Sequence, residues 1–286
     1  FTTALRLLTS QGTNVTNVNN IMKDYAQIAK TIRRDIIEMI YAAGSGHAGG
    51  SLSLADIFAV LYFGEMKHDP ANLQWEDRDR LILSKGHAAP VLYSALARSG
   101  YFDPEYLKTL RKTDSFLEGH PAMKTPGVEV GTGSLGQGLS IGCGLAVSFI
   151  KRQTSQRVFV ILGDGELQEG QNWEAFMFAG HNNLNNLTAV IDLNDLQIDG
   201  KVTEVNSIEP IADKMKSFNW DYTVIDGHDF DQIQEAFKKA RLSDKPFAVI
   251  AKTVKGKGVS FMENKAEWHG KPIGKEEYDK AMKELL

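Results

Sequence analysis

An aspartate framed by glycines, Gly163-Asp164-Gly165, closes the apolar run 158–162, and Asn194 stands just beyond the run 189–191, 30 positions after Asp164. If both runs are buried neighbouring strands, their ends reach one sheet edge. There Asp164 offers a carboxylate, Asn194 an amide oxygen and Leu196 a main-chain carbonyl. Such a set suits Mg²⁺, which prefers oxygen ligands in octahedral geometry and shares its sites with phosphate and water. The glycines beside Asp164 let the backbone approach a diphosphate, and the helix that follows turns its positive end toward the anion. Histidines are the second chemical resource. His47, His87, His120 and His269 each have a neighbouring glycine. An imidazole titrates near neutrality, so it can donate and accept a proton within one cycle. His68, His181 and His228 are expected to be structural, with His181 at a helix end where a cation is favourable.

Two other readings of these residues fail on context. Gly131-Thr132-Gly133-Ser134-Leu135-Gly136 spells a dinucleotide-binding GxGxxG. The preceding KTPGVEV is a poor strand, however, and no acidic residue lies between Gly136 and Asp164 to hold a ribose. A zinc site would need helical i, i+4 histidine pairs or clustered cysteines, and the chain has one cysteine, Cys143.

The elements that must position these groups read as alternating strands and helices. Apolar runs of strand length occur at 81–83, 158–162, 189–191, 222–225 and 247–251, and they read as buried parallel strands. Tyr25, Ile28, Ile32, Ile36 and Ile40 recur at helical spacing after Asp24, and Gly44 is a stop signal. Ser53 and Asp56 match a capping box, and Asp103-Pro104 an N-cap followed by proline. Further helices are expected at 172–182, 210–218 and 230–241. The glycine-bearing stretch after Gly256 is expected to loop into a short terminal helix. Gly142, Gly144, Ala146 and Ser148 are expected to give one small helix face. Trp75, Trp173 and Trp268 are left open between core, surface and interface. The pattern predicts an α/β fold: a doubly wound parallel sheet with helices on both faces.

Bulk properties narrow the function. The chain has 286 residues, 42% hydrophobic and 24% charged, with a net charge of −4. That leaves no basic footprint for nucleic acid or an anionic membrane. No apolar stretch reaches the roughly 20 residues of a membrane span. A single cysteine permits no internal disulfide framework and fits a reducing, cytoplasmic setting. Residues 1–20, rich in Asn, Thr and Ser, are expected to form a poorly ordered tail outside a domain at 21–286. The acceptor triplet Asn14-Val15-Thr16 carries little weight without a secretory route.

The stretches SGHAGGSLSLADI (45–57), WEDRDRLILSKGHAAPVLY (75–93), EGHP (118–121), TGSLGQG (132–138), GDGELQEG (163–170), DLNDLQIDG (192–200) and WHG (268–270) resemble, in order, the amino-terminal half of transketolases. Gly163-Asp164-Gly165 followed by Asn194 is likewise similar to the signature of thiamine diphosphate enzymes. The resemblance implies the diphosphate-binding domain of that fold, with thiamine diphosphate and Mg²⁺ as cofactors. It implies that Asp164, Asn194 and the Leu196 carbonyl hold the metal, and that Gly165 and Asn194 contact the diphosphate. His87 and Gly133, Ser134 and Leu135 would line the cofactor. His47, His120 and His269 would face the thiazolium and sugar, with His269 also near the diphosphate. Glu169 resembles an acidic residue at the contact between subunits. The implied activity is transfer of a two-carbon ketol unit from a ketose phosphate to an aldose phosphate, in carbohydrate metabolism of the pentose phosphate type. A separate carboxy-terminal subunit, supplying the pyrimidine-binding half in an α₂β₂ assembly, is expected. The alternatives are a synthase that condenses pyruvate with a sugar phosphate and a non-catalytic assembly subunit. The intact Asp164, Asn194 and four histidines argue against the latter.

Overall fold

The computed structural model describes residues 24–286; the expected tail at 1–20 lies outside them. The first helix, α1 (Tyr25–Ala43), begins where the Asp24 carboxylate accepts from the Gln27 amide at 3.0 Å. It stops at Gly44, whose left-handed φ of 63° a side chain would resist. Its Ile32, Ile36 and Ile40 are fully buried. Short helices α2 (Ala48–Leu52) and α3 (Ala55–Val60) follow, then strand β1 (Arg80–Leu83) and α4 (Ala89–Ser99). Next come α5 (Gln137–Lys151), β2 (Val158–Gly163), α6 (Gly170–His181) and β3 (Leu187–Leu193). A two-stranded hairpin, β4 (Leu196–Gln197) and β5 (Gly200–Lys201), leads to α7 (Val202–Val205) and α8 (Ile211–Ser217). The chain closes with β6 (Asp221–Asp226), α9 (Phe230–Leu242), β7 (Phe247–Lys252) and α10 (Lys275–Glu284).

The main sheet is parallel in the order β1-β2-β3-β7-β6. Each expected apolar run is one of its strands. Side chains alternate between two cores, because successive residues of a strand point to opposite faces. Phe159 and Ile161 of β2 join α1, α3, α4 and α9 on one face, while Val158, Val160 and Leu162 join α5, α6 and α8 on the other. Both faces are covered, as the near-continuous apolar strands require. The crossover out of β3 through α8 and the crossover into β7 through α9 lie on opposite faces. The carboxyl ends of β3 and β7, paired from Thr188↔Phe247 to Leu193↔Lys252, therefore flank the crevice where such sheets bind ligands.

Three local expectations need correction. The Ser53 hydroxyl does not cap α3; it bonds to the Gly50 carbonyl at 3.2 Å and to Asp192 at 2.8 Å. Asp56 pairs with Arg33 and His228 instead of closing a capping box. On α5, Gly142 and Ala146 are buried whereas Gly144 and Ser148 are exposed, so the small residues occupy two faces. Asp103 does cap, accepting from Glu105 N at 2.9 Å, but the turn it starts, Pro104–Thr109, is a 3₁₀ helix. Trp268 is core, and Trp75 and Trp173 are half-buried.

Candidate active site

The carboxyl ends of β1, β2, β3 and β7 bring the candidate residues to one edge. Asp164 follows β2, and its carboxylate accepts from the amides of Gly165 (2.8 Å) and Asp195 (2.5 Å). The second contact ties the β2 end to the turn after β3. Asp195 adopts a left-handed φ of 57°, held because its carboxylate accepts from Thr203 N (3.0 Å) and Thr203 Oγ1 (3.1 Å). Asn194 Oδ1 accepts from Leu196 N at 3.2 Å, and its Nδ2 donates to Asp192 at 3.2 Å, which fixes the amide's orientation.

Beneath these groups lies a buried ionic network that sequence reasoning missed. Asp192, with 0% exposure, pairs with Lys85 and also accepts from Ser53 and Thr253. Burial pushes this carboxyl up, but the Lys85 charge and the hydrogen bonds from Lys85, Thr253 and Ser53 outweigh it and hold the carboxyl below its ordinary value. Asp164 has no ion-pair partner among the described residues. Burial first, and then the neighbouring Asp192 charge, push it up to about 6. Glu166 is a further missed hub, 3% exposed. It accepts from Ser84 Oγ at 2.5 Å, Gly136 N at 2.9 Å and Gly163 N at 3.0 Å, so one carboxylate joins the ends of β1 and β2 to the loop before α5. Burial raises its carboxyl too.

The glycine loop is seated against β1. Thr132 Oγ1 donates to the Leu83 carbonyl at 2.8 Å, and a Cβ on Gly86 would lie 2.7 Å from Gly133 N. Only glycine at 86 lets these backbones touch. No strand precedes Gly131, so the dinucleotide reading lacks its context.

His47, His87 and His269 converge, with ring centroids 5.2, 5.5 and 5.0 Å apart pairwise. His47 occupies the residue before α2 without a side-chain capping bond, His87 sits in the 3₁₀ turn after β1, and His269 in the turn Ala266–His269. Burial and then the charges of Arg111, His120 and Lys255 push His47 down to about 4. Burial followed by Lys255 takes His269 down to about 3, and burial followed by Lys85 takes His87 well below its ordinary value. All three are neutral imidazoles near pH 7. Lys255 Nζ donates to His269 Nδ1 at 3.0 Å, which places the remaining ring proton on Nε2. His47 Nδ1 is buried without a hydrogen-bond partner among the described residues. His120 lies apart from this trio, exposed at the rim with its ring against the Cα of Gly133.

Lys255, also missed, donates to the Leu196 carbonyl at 2.9 Å. Burial and the neighbouring Lys85 charge bring its ammonium down to about 8. Its only sequence signal is the run KTVKGKG after a buried strand. His68 and His228 have structural partners: His68 bonds Tyr62 O and Tyr101, and His228 bridges Asp56 and Val254 N. His181 is exposed at the end of α6, and Glu169 is exposed at the start of that helix.

The donor set fits a hard cation beside a diphosphate. Asp164, Asn194 and the Leu196 carbonyl offer few oxygens, as Mg²⁺ shared with phosphate requires. Asp164 is also a buried carboxyl whose charge no side chain here neutralises. Lys255 and the amide-rich turns add positive potential for an anion.

Comparison with known proteins identifies the family. The family described as "Transketolase, thiamine diphosphate binding domain" matches residues 24–286. The chain is 45% identical over 264 residues to the 6-deoxy-6-sulfo-D-fructose transketolase subunit SqwG of Clostridium sp. (strain MSTE9), covering 92% of this chain and 96% of that protein. It is 39% identical to an apulose-4-phosphate transketolase subunit from Phocaeicola vulgatus, covering 88% and 90% respectively. The crystal structure of transketolase from Campylobacter jejuni superposes with a TM-score of 0.87 at 37% identity, over 91% of this chain and 42% of that one.

Proposed function

The chain belongs to the transketolase family, in its thiamine diphosphate-binding part, and from that premise we propose that it is the amino-terminal subunit of a two-chain transketolase. It transfers a two-carbon ketol unit between sugars, using thiamine diphosphate and Mg²⁺, together with a carboxy-terminal partner subunit. The single observation that carries the reading is Asp164: a buried carboxyl at the end of β2, tied to the β3 turn and raised to about 6 by burial and then by the neighbouring Asp192 charge. The names of the two subunit relatives, each matched over nearly its whole length, support the two-chain arrangement. They also point to sugars carrying a terminal phosphate or sulfonate as the substrate class.

Asp164, Asn194 and Leu196 would hold the metal, with Gly165 and Lys255 toward the diphosphate and Gly133, Ser134, Leu135 and His87 along the cofactor. When bound, thiamine diphosphate supplies the carbon nucleophile and electron sink for breaking and remaking the ketose C–C bond. The protein's own part is proton handling. His47, neutral near pH 7, can accept a proton from a substrate hydroxyl, and His269, whose Nδ1 is taken by Lys255, can donate from Nε2. Lys255 and the buried Lys85–Asp192 pair hold that end of the site in place.

Calorimetry with thiamine diphosphate and Mg²⁺ tests the division of roles. Asp164→Ala is expected to abolish Mg²⁺-dependent cofactor binding. His120→Ala, outside the metal-holding set, should bind cofactor as the native chain does, while turnover of the assembled enzyme falls by roughly 10²–10⁴, the usual range for a positioned acid–base group. Unchanged affinity in Asp164→Ala would remove the metal assignment, and equal binding losses in both variants would erase the division.

A further inference from the structure

We propose that His228, Asp56 and Arg33 form a clamp that fixes the turn carrying Lys255, so that His228, outside the candidate site, positions the Lys255 ammonium for the cofactor diphosphate. The inference rests on the reading above and adds to it positioning residues that the site itself does not contain. Strand β7 ends at Lys252, and the chain then folds into a tight turn in which Lys257 N donates to Val254 O at 3.1 Å. Lys255 and Gly256 are its central residues, and Gly256 takes a left-handed φ of 80°, which glycine supplies freely at the third position of a turn. From there Lys255 Nζ reaches the Leu196 carbonyl and His269 Nδ1. A lysine stem is long and rotatable, so where its ammonium sits depends on how firmly the turn is held.

The two ends of this turn are gripped by one connected network. Val254 N donates to His228 Nε2 at 2.8 Å, and the Lys257 carbonyl accepts from Arg33 Nε at 3.1 Å. Asp56 joins the two grips from behind. Its Oδ1 accepts from Arg33 Nη1 at 3.0 Å, and its Oδ2 accepts from both Arg33 Nη2 and His228 Nδ1, the latter at 2.7 Å. Because His228 Nε2 accepts from an amide, the ring proton is on Nδ1, and the imidazole passes the hold of the carboxylate on to the turn. The path therefore runs from the Val254 amide through His228, Asp56 and Arg33 to the Lys257 carbonyl. Neither end can move without breaking a hydrogen bond to a charged group or to a ring that such a group orients. The network takes hold of main-chain atoms, which leaves the Lys255 side chain to the site. Arg33 comes from α1, Asp56 from α3 and His228 from the turn between β6 and α9, so three separate parts of the chain meet on four residues. Arg33 and Asp56 are buried, whereas His228 keeps 12% of its side-chain surface exposed, which makes it the member to replace without opening the core.

The test uses the full chain, calorimetry with thiamine diphosphate and Mg²⁺, and amide hydrogen exchange without either. His228→Asn retains a donor for Asp56 but is too short to reach Val254 N, whereas His228→Gln can bring an oxygen to that amide. Cofactor binding is expected to weaken about fivefold in His228→Asn, the size of one lost hydrogen bond, and to recover in His228→Gln. Arg33→Lys, which frees the other end of the turn, should weaken binding likewise. In a Lys255→Met background, His228→Asn should cost nothing further, because residues acting through one another are not additive. Without ligand, exchange at Gly256 and Asn264, whose amides bond to Gly49 O and Lys255 O, should quicken at least about fivefold in His228→Asn while Val249 in β7 keeps its protection. Native affinity in His228→Asn, a full additive loss in the double variant, or uniform quickening across β7 would overturn the clamp. Absence of thiamine diphosphate binding by the native chain would sink the cofactor reading instead, and the ligand-free exchange pattern would then decide the clamp by itself.

Discussion

At the scale of single residues, the site is a set of groups moved away from their ordinary proton affinities by burial and by one another. His47 and His269, lowered to about 4 and about 3, are neutral in the folded chain across a range where the unfolded chain protonates them. A lowered histidine pKa means the unfolded state binds more protons, so this contribution to stability is lost as pH falls below about 6.5 and keeps falling toward the folded values. Asp164 works in the opposite sense: raised to about 6, it binds its proton first in the folded state, so stability from it grows as pH falls from about 6 toward the ordinary carboxylate range. The histidine part is isolated by difference. The melting temperature of His269→Asn minus that of the native chain, without cofactor, is expected to rise steadily from pH 7 to pH 4 in differential scanning fluorimetry. A flat difference would show that the imidazole is not desolvated as its packing implies.

At the scale of elements, glycine spacing decides how closely α5 approaches the sheet. A Cβ on Gly142 would lie 2.5 Å from Val160 Cγ2, a branched side chain locked in the centre of β2, whereas one on Gly144 would meet nothing within 4 Å. Alanine improves helix propensity by about 0.5–1 kcal/mol over glycine. Gly144→Ala should therefore gain stability of that size, and Gly142→Ala should lose stability because overpacking costs about 1–3 kcal/mol; urea denaturation of the two variants gives both signs. The same contrast explains what the sequence could and could not reveal. Strand runs and the α1 repeat are legible because burial imposes a local period on them. The small residues of α5 mislead because residues two apart on a helix point nearly opposite ways. Ser53 and Asp56 have capping-box spacing, yet their partners, Asp192 and Arg33, are distant in sequence, so tertiary bonds displace the local one. Asp164 and Asn194 can be found because each ends an apolar run. The Lys85–Asp192 pair spans 107 positions, and nothing local in either strand announces it.

At the scale of the whole molecule, the described residues build one edge of a sheet into a surface that gathers a metal-type oxygen set, two buried lysines and three converging imidazoles. The fold is shared, at a TM-score of 0.87, with a transketolase chain of which this one covers 42%, while two relatives named as subunits are matched over 96% and 90% of their lengths. Binding and turnover should therefore separate. On the reading proposed above, cofactor capture is expected to depend on Asp164, Asn194 and Lys255, all in this chain, and calorimetry of the purified chain should register it. Ketol transfer needs the reacting end of the cofactor enclosed and its proton traffic shielded from water, a task a half-exposed set of histidines does not accomplish alone. Purified chain supplied with thiamine diphosphate, Mg²⁺ and sugar phosphates is expected to show no ketol transfer, and addition of a carboxy-terminal partner should restore it with saturation at one partner per chain. Turnover by the chain alone at the rate of the mixture would refute the two-chain reading, even with cofactor binding intact, because closure of the site would then have to come from this polypeptide itself.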